Sequence, residues 1–91
     1  MSERPFEVTW SPTAQRDLRR LPKKVATAVA EFVYGPLAAN PHRVGRPLHL
    51  ELAGRHSARR GSYRVIYRIG DEQRLVRIET VDHRSDIYRR G

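Results

Sequence analysis

Residues 52–70, LAGRHSARRGSYRVIYRIG, and residues 74–90, RLVRIETVDHRSDIYRR, decide what this chain folds into. In the first run Tyr63, Val65, Tyr67 and Ile69 alternate with Arg64, Ile66 and Arg68, the period of two that sends neighbours to opposite faces of a pleated strand. One face can pack a core while the other presents guanidinium groups. Between Leu52 and Arg90 there are ten arginines against five acids, so the expected partner of that second face is a polyanion. Strands are predicted at about 55–60, 62–69 and 74–81, with a turn at Gly70-Asp71-Glu72-Gln73. In the last of them Val76, Ile78 and Thr80 are assigned to one face and Leu75, Arg77, Glu79 and Val81 to the other.

Upstream, Phe6, Val8 and Trp10 alternate with Glu7 and Thr9 and predict a short N-terminal strand. Ser11-Pro12 then supplies an N-cap and a first-turn proline, and Ala14, Leu18 and Leu21 recur with helical spacing. Pro22 interrupts this helix and starts a second, lined by Val25, Val29, Phe32 and Val33. Gly35-Pro36 falls inside or at the end of that pattern, and Asn40-Pro41 ends it. Residues 41–47 read as loop, and Leu48, Leu50 and Leu52 as a brief extended segment. The predicted fold is α+β: an N-terminal strand, a helical hairpin, then an antiparallel sheet of three to four strands with the helices packed on one face. Ninety-one residues make a single domain, 1–91, with no linker or repeat.

Composition excludes several chemistries. There is no cysteine, so neither a disulfide framework nor a thiolate nucleophile exists. His42, His49, His56 and His83 are seven or more residues apart, which fits no zinc spacing, and neither metal nor cofactor is expected. No nucleophile elbow surrounds Ser57, Ser62 or Ser85, and Gly54, Gly61 and Gly70 punctuate turns rather than forming a phosphate loop. The N-terminus lacks a signal-peptide core and no apolar run reaches roughly 18 residues, so a cytoplasmic protein without membrane attachment is expected. The net charge is +8, and Lys23 and Lys24 are the only lysines. Arginine offers a planar fork that matches phosphate bidentately and stacks on bases.

Arg59 or Arg60, Arg64, His83, Arg84 and Tyr88 supply the materials for handling a phosphodiester. Guanidiniums hold phosphate and its developing charge, an imidazole moves protons near neutral pH, and an aromatic ring stacks on a base. The competing reading makes Arg64 and Arg84 solvated sheet residues and Tyr88 an aromatic at the core edge. Arg16, Arg19 and Arg20, with Lys23 and Lys24 beyond them, are equally a solvated face or a second footprint for nucleic acid.

The YRVIY strand and the terminal HRSDIY, set in this order of elements, resemble the RelE/ParE superfamily of bacterial toxins, and more closely its RelE branch. The resemblance covers nearly the whole chain. It implies a type II toxin: a ribosome-dependent endoribonuclease that cleaves mRNA, in which the RNA 2′-hydroxyl attacks the adjacent phosphate. It also implies a cognate acidic, RelB-like antitoxin; a further reading, a basic DNA-binding module, is confined to operator DNA bound by the toxin–antitoxin complex, because nothing in the chain resembles a recognition helix. By analogy Arg64 contacts the scissile phosphate, Arg84 is a second catalytic arginine and Tyr88 orients the base. Arg55, Arg59, Arg60, Arg68, Lys23 and Lys24 are the candidate RNA-binding residues. Where some RelE-branch members carry lysines on the strand before YRVIY, this chain has His56, Arg59 and Arg60. Arginine is a poor base, which leaves His83, or less favourably His56, as proton acceptor, or else a catalysis that relies mostly on positioning and electrostatic stabilisation. The alternative is a ParE-like, non-catalytic DNA gyrase inhibitor, a branch that lacks the C-terminal arginine and tyrosine pair.

Overall fold

A computed structural model describes residues 4–49 and 54–83. The element order is β1 (Glu7–Trp10), α1 (Pro12–Arg20), α2 (Lys23–Phe32), a wider π-helical turn (Val33–Leu37), α3 (Pro41–Val44), β2 (Arg46–Pro47), β3 (Arg55–Arg60), β4 (Tyr63–Gly70) and β5 (Leu75–His83). The α+β class and the helical hairpin are those expected from sequence.

Ser11 caps α1, accepting the Ala14 N–H at 2.9 Å, and Pro12 sits in the first turn where its missing N–H costs nothing. α2 does not stop at Gly35-Pro36. Proline cannot donate to a regular helical ladder, and the chain widens into a π turn that carries Pro36 and still buries Val33 and Leu37.

The five strands run in the order β1-β5-β4-β3-β2. β1 lies parallel to β5, pairing Val8 with Val76 and Trp10 with Ile78, whereas the other neighbours are antiparallel. The N-terminal strand thus joins the sheet beside the last described strand, a placement that periodicity within either one does not reveal. Residues 41–47, read from sequence as loop, instead form α3 and β2: Pro41 starts a single turn of helix, and β2 adds Arg46 and Pro47 to the edge of β3 opposite Ser57 and His56. Leu50 and Leu52 lie outside the described residues.

One face of the sheet carries Tyr63, Val65, Tyr67, Val76 and Ile78 against Ala14, Val29, Phe32, Val33 and Leu37, and this is the core. Fully burying a side chain of this size contributes roughly 1.5–3 kcal/mol. The other face, with Arg55, Ser57, Arg59, Arg64, Ile66 and Arg68, is not covered by the helices.

β5 carries a break in alternation. Tyr67 pairs with Ile78 but Ile66 pairs with Thr80, so Glu79 is an extra residue, a bulge. Even-numbered residues face the helices up to Ile78, and odd-numbered ones beyond it. Val81 is therefore buried, not on the face of Arg77 and Glu79 as strict alternation assigns it, and His83 turns inward with it. The bulge sits where β1 ends. Helix α1 takes over its outer edge, with Ser11 Oγ donating to the Glu79 carbonyl at 2.7 Å and the Val81 N–H donating to Asp17 Oδ2 at 2.9 Å.

Candidate functional site

On the uncovered face a cleft of about 720 Å³ opens between β3–β4 and the α3–β2 segment. Its walls are Arg59 and Arg64 on one side and Arg43 and Arg46 on the other, with Ser57, Val44, Pro47 and Leu48 between. Arg59 and Arg64 are directly opposite each other across β3 and β4. Cα atoms in such a pair are about 4.5–5.5 Å apart, and like charges placed there destabilise a sheet.

Four arginines outside the cleft are engaged. Arg68 and Arg77 share Glu79 Oε2, at 3.3 and 3.8 Å. Arg60 lies over the Phe32 ring at 4.5 Å and Arg74 over Phe6 at 4.3 Å. By contrast Arg43, Arg46, Arg59 and Arg64 have no carboxylate partner among the described residues, although Asp82 stands opposite Arg64 in the β-ladder. Among the described residues, positive charge thus gathers without an ion-pair partner where the surface is concave, the arrangement that focuses potential onto an anion.

Of the residues singled out from sequence, Arg59 and Arg64 come together in the cleft. Arg55 and Arg68 are a cross-strand pair on the same face, farther along β3 and β4, with Arg68 held by Glu79. Arg60 is on the opposite face, against α2. Lys23 and Lys24 line a separate shallow groove on α2 with Thr27, Ala28 and Glu31. His83 is 9% exposed and pairs with Tyr63 on the helix-covered face, so the bulge at Glu79 carries it away from Arg64 rather than beside it. Arg84 and Tyr88 lie outside the described residues. Arg43 and Arg46 were not anticipated, because a stretch rich in Pro, Gly and Asn reads as a connection; two arginines in so short a connection were the only hint.

Among the described residues no histidine or carboxylate lines the cleft. His42 Nε2 is 2.8 Å from Asp71 Oδ1, and its ring meets His56 edge-on with centroids 5.8 Å apart. His56 in turn stacks on Tyr67 at 5.5 Å on the core side. Burial, and then the neighbouring His42, hold the His56 pKa below its usual value, while Asp71 acts in the opposite sense. The Nδ1 atom of His56 is buried without a hydrogen bond among the described residues.

Tyr67, wholly buried, has its hydroxyl pKa pushed up to about 12 by desolvation and donates to the Pro41 carbonyl at 2.6 Å. Gly45 passes so close that a Cβ there would overlap the Tyr67 hydroxyl and lie 2.8 Å from the Ser57 carbonyl oxygen. The backbone thus needs glycine for the approach. Its φ of −130° is ordinary extended geometry. Chemically, the cleft can hold an anion and stabilise added negative charge; arginine, protonated below about pH 12, does not accept a proton there.

Residues 8–88 match the family model described as the ParE toxin of the type II toxin-antitoxin system parDE. The chain is 56% identical over 86 residues to Toxin RelG of Mycobacterium tuberculosis, covering 94% of this chain and 99% of that one. It is 53% identical over 87 residues to Toxin RelE of the same organism, covering 96% and 90%. Its structure superposes, with a TM-score of 0.87 and 54% identity, on a chain from the crystal structure of the M. tuberculosis toxin-antitoxin complex RelBE2, over 90% of this chain and 94% of that one.

Proposed function

Given that the chain belongs to the ParE toxin family of type II toxin-antitoxin systems, and that its close relatives are toxins of the RelE type, we propose that it acts as a ribosome-dependent endoribonuclease on mRNA. The observation that carries this reading is the convergence, on one cleft of the open sheet face, of four guanidiniums without carboxylate partners among the described residues.

In this reading the 2′-hydroxyl oxygen attacks the adjacent phosphorus, the bond from phosphorus to the 5′-oxygen breaks, and the products are a 2′,3′-cyclic phosphate and a 5′-hydroxyl. Charge builds on the non-bridging oxygens as the new bond forms. Arg64, from the centre of the sheet, and Arg59 beside it hold that phosphate and stabilise the charge, a contribution on the order of 10²–10³ in rate per donor. The proton of the 2′-hydroxyl leaves to an acceptor outside the described cleft, and the 5′-oxygen gains one. Positioning and electrostatic stabilisation are the protein's part of the catalysis. Arg84 and Tyr88 complete the proposal as a second charge and a stacking ring. His83, facing the core, supports the fold.

A type II toxin needs neutralisation, and the proposed partner is an acidic antitoxin segment. The exposed Tyr34, whose hydroxyl accepts the Trp10 Nε1–H at 2.8 Å, offers it an apolar footing beside Leu18 and Ala30. Operator DNA would be met only by that complex.

Inducing the chain alone in bacteria tests the reading. Pulse labelling should show protein synthesis stopping first, with new mRNA ends bearing 5′-hydroxyls. Arrest of DNA synthesis while translation continues would replace this reading with gyrase inhibition.

A further inference from the structure

The two walls of the cleft have different origins. Arg59 and Arg64 stand on the paired central strands, whereas Arg43 and Arg46 come from the short α3–β2 arm laid along the edge of β3. The arm is pinned at both ends. Leu48 N–H donates to the Arg55 carbonyl at 2.8 Å, and the Tyr67 hydroxyl, from the core face of β4, donates to the Pro41 carbonyl. Gly45 rides directly over that hydroxyl.

Four cations without a carboxylate partner among the described residues are more than one phosphodiester requires, since it carries a single negative charge. The spacing agrees. Arg46 pairs with Ser57, two residues from Arg59, which with usual strand dimensions places its Cα roughly 8 Å from that of Arg59 and roughly 12 Å from that of Arg64. An RNA strand gripped at its scissile phosphate must continue past that point, and its next phosphate has to lie close by.

We propose that Arg43 and Arg46 bind a second phosphate of the RNA strand, adjacent to the scissile one at Arg59 and Arg64, and that Tyr67 is the positioning residue that sets the distance between the two walls. The inference rests on the RNA-cleavage reading and deepens it, and it makes RNA, rather than an acidic peptide, the ligand of the arm.

The test uses an eight-nucleotide 2′-O-methyl RNA, which lacks the nucleophilic hydroxyl and is bound without being cut. Its affinity is read by fluorescence anisotropy over a range of salt concentrations. Replacing both residues, Arg43→Gln with Arg46→Gln, should weaken binding on the order of tenfold at low salt, the scale of removing a charged hydrogen bond. It should also reduce the salt slope by about 0.7, the share of one phosphate that is no longer neutralised. Arg74→Gln with Arg77→Gln, which removes the same charge from residues already engaged by Phe6 and Glu79, should keep the wild-type slope.

Tyr67→Phe should weaken binding in the wild-type background and add nothing when Arg43 and Arg46 are already gone; a purely structural tyrosine would weaken both. An unchanged slope in the arm variant, an equal loss in the charge-matched control, or a wild-type protein that fails to bind the probe overturns the proposal. So does an arm variant that loses a polyglutamate peptide while holding RNA normally, which makes the arm a protein-docking surface. If the wild-type protein binds with the expected slope but never cuts ribosome-bound mRNA, the cleavage reading falls while the phosphate pair stands.

Discussion

Gly45→Ala is the substitution whose outcome the geometry constrains most tightly. At most extended positions alanine stabilises relative to glycine by about 0.4–1 kcal/mol, because it restricts the unfolded chain. At Gly45 the added methyl overlaps the hydroxyl of a wholly buried tyrosine and presses on the Ser57 carbonyl. Overpacking of this kind costs about 1–3 kcal/mol, so a net loss of about 1–2 kcal/mol is expected. Tyr67→Phe alone removes the 2.6 Å bond to the Pro41 carbonyl and should also cost about 1–2 kcal/mol. The two should not add. Once the hydroxyl is gone the methyl has a place to go, and the double variant should lose about 1 kcal/mol less than the sum of the singles. Urea unfolding of the four proteins at constant m-value reads this directly, and each kcal/mol should move the melting temperature by about 4–8 °C in a domain of this size. Wild-type stability for Gly45→Ala, or additivity of the pair within about 0.5 kcal/mol, would refute the seating of the arm on the tyrosine.

Arg64→Ala should reduce cleavage on the order of 10²-fold or more with little change in melting temperature, since Arg64 is exposed; a folded variant that still arrests growth would return Arg64 to the solvated surface. His83→Ala should lower stability yet leave the pH profile of cleavage unchanged, and a shifted profile, measured on ribosome-bound mRNA, would restore His83 as proton carrier. Because the folded-state pKa of His56 is lowered, the unfolded chain binds its proton first; stability should fall as pH drops below about 6.5, and thermal melts of His56→Gln should show a smaller fall. Tyr67 is shifted the other way, so its contribution is intact below about pH 10 and is lost as pH rises towards 12; the stability of Tyr67→Phe, lower at neutral pH, should fall less between about pH 10 and 12 than that of the wild type.

The elements most legible in the sequence are those in which a single local rule governs. Ser11-Pro12 marks the start of α1, and the alternation through Tyr63–Ile69 places Arg64 on the open face. What escaped is set by partners distant in sequence. Nothing in Phe6–Trp10 indicates that it pairs parallel with residues 75–78, and nothing in RIETV announces that Glu79 is the extra residue, because the bulge is stabilised by Ser11 and Asp17 far upstream. That one residue also decides the fate of His83, which unbroken alternation would have left on the face of Arg64. The second wall of the cleft was hidden for a related reason: residues 41–47 have loop-like composition, and what shapes them is a hydroxyl from β4.

The pairing of β1 with β5 also orders events during synthesis. The partner of Trp10 in the sheet is Ile78, and at about 5–20 residues per second the ribosome needs roughly 3–14 s to travel from one to the other. Through that interval the hairpin helices have no complete sheet to cover, and closing so long a loop is the slow kind of contact. A protein proposed to disable translation is therefore put together only after Ile78 has been made, and the ribosome that makes it must have read at least that far before the finished cleft exists.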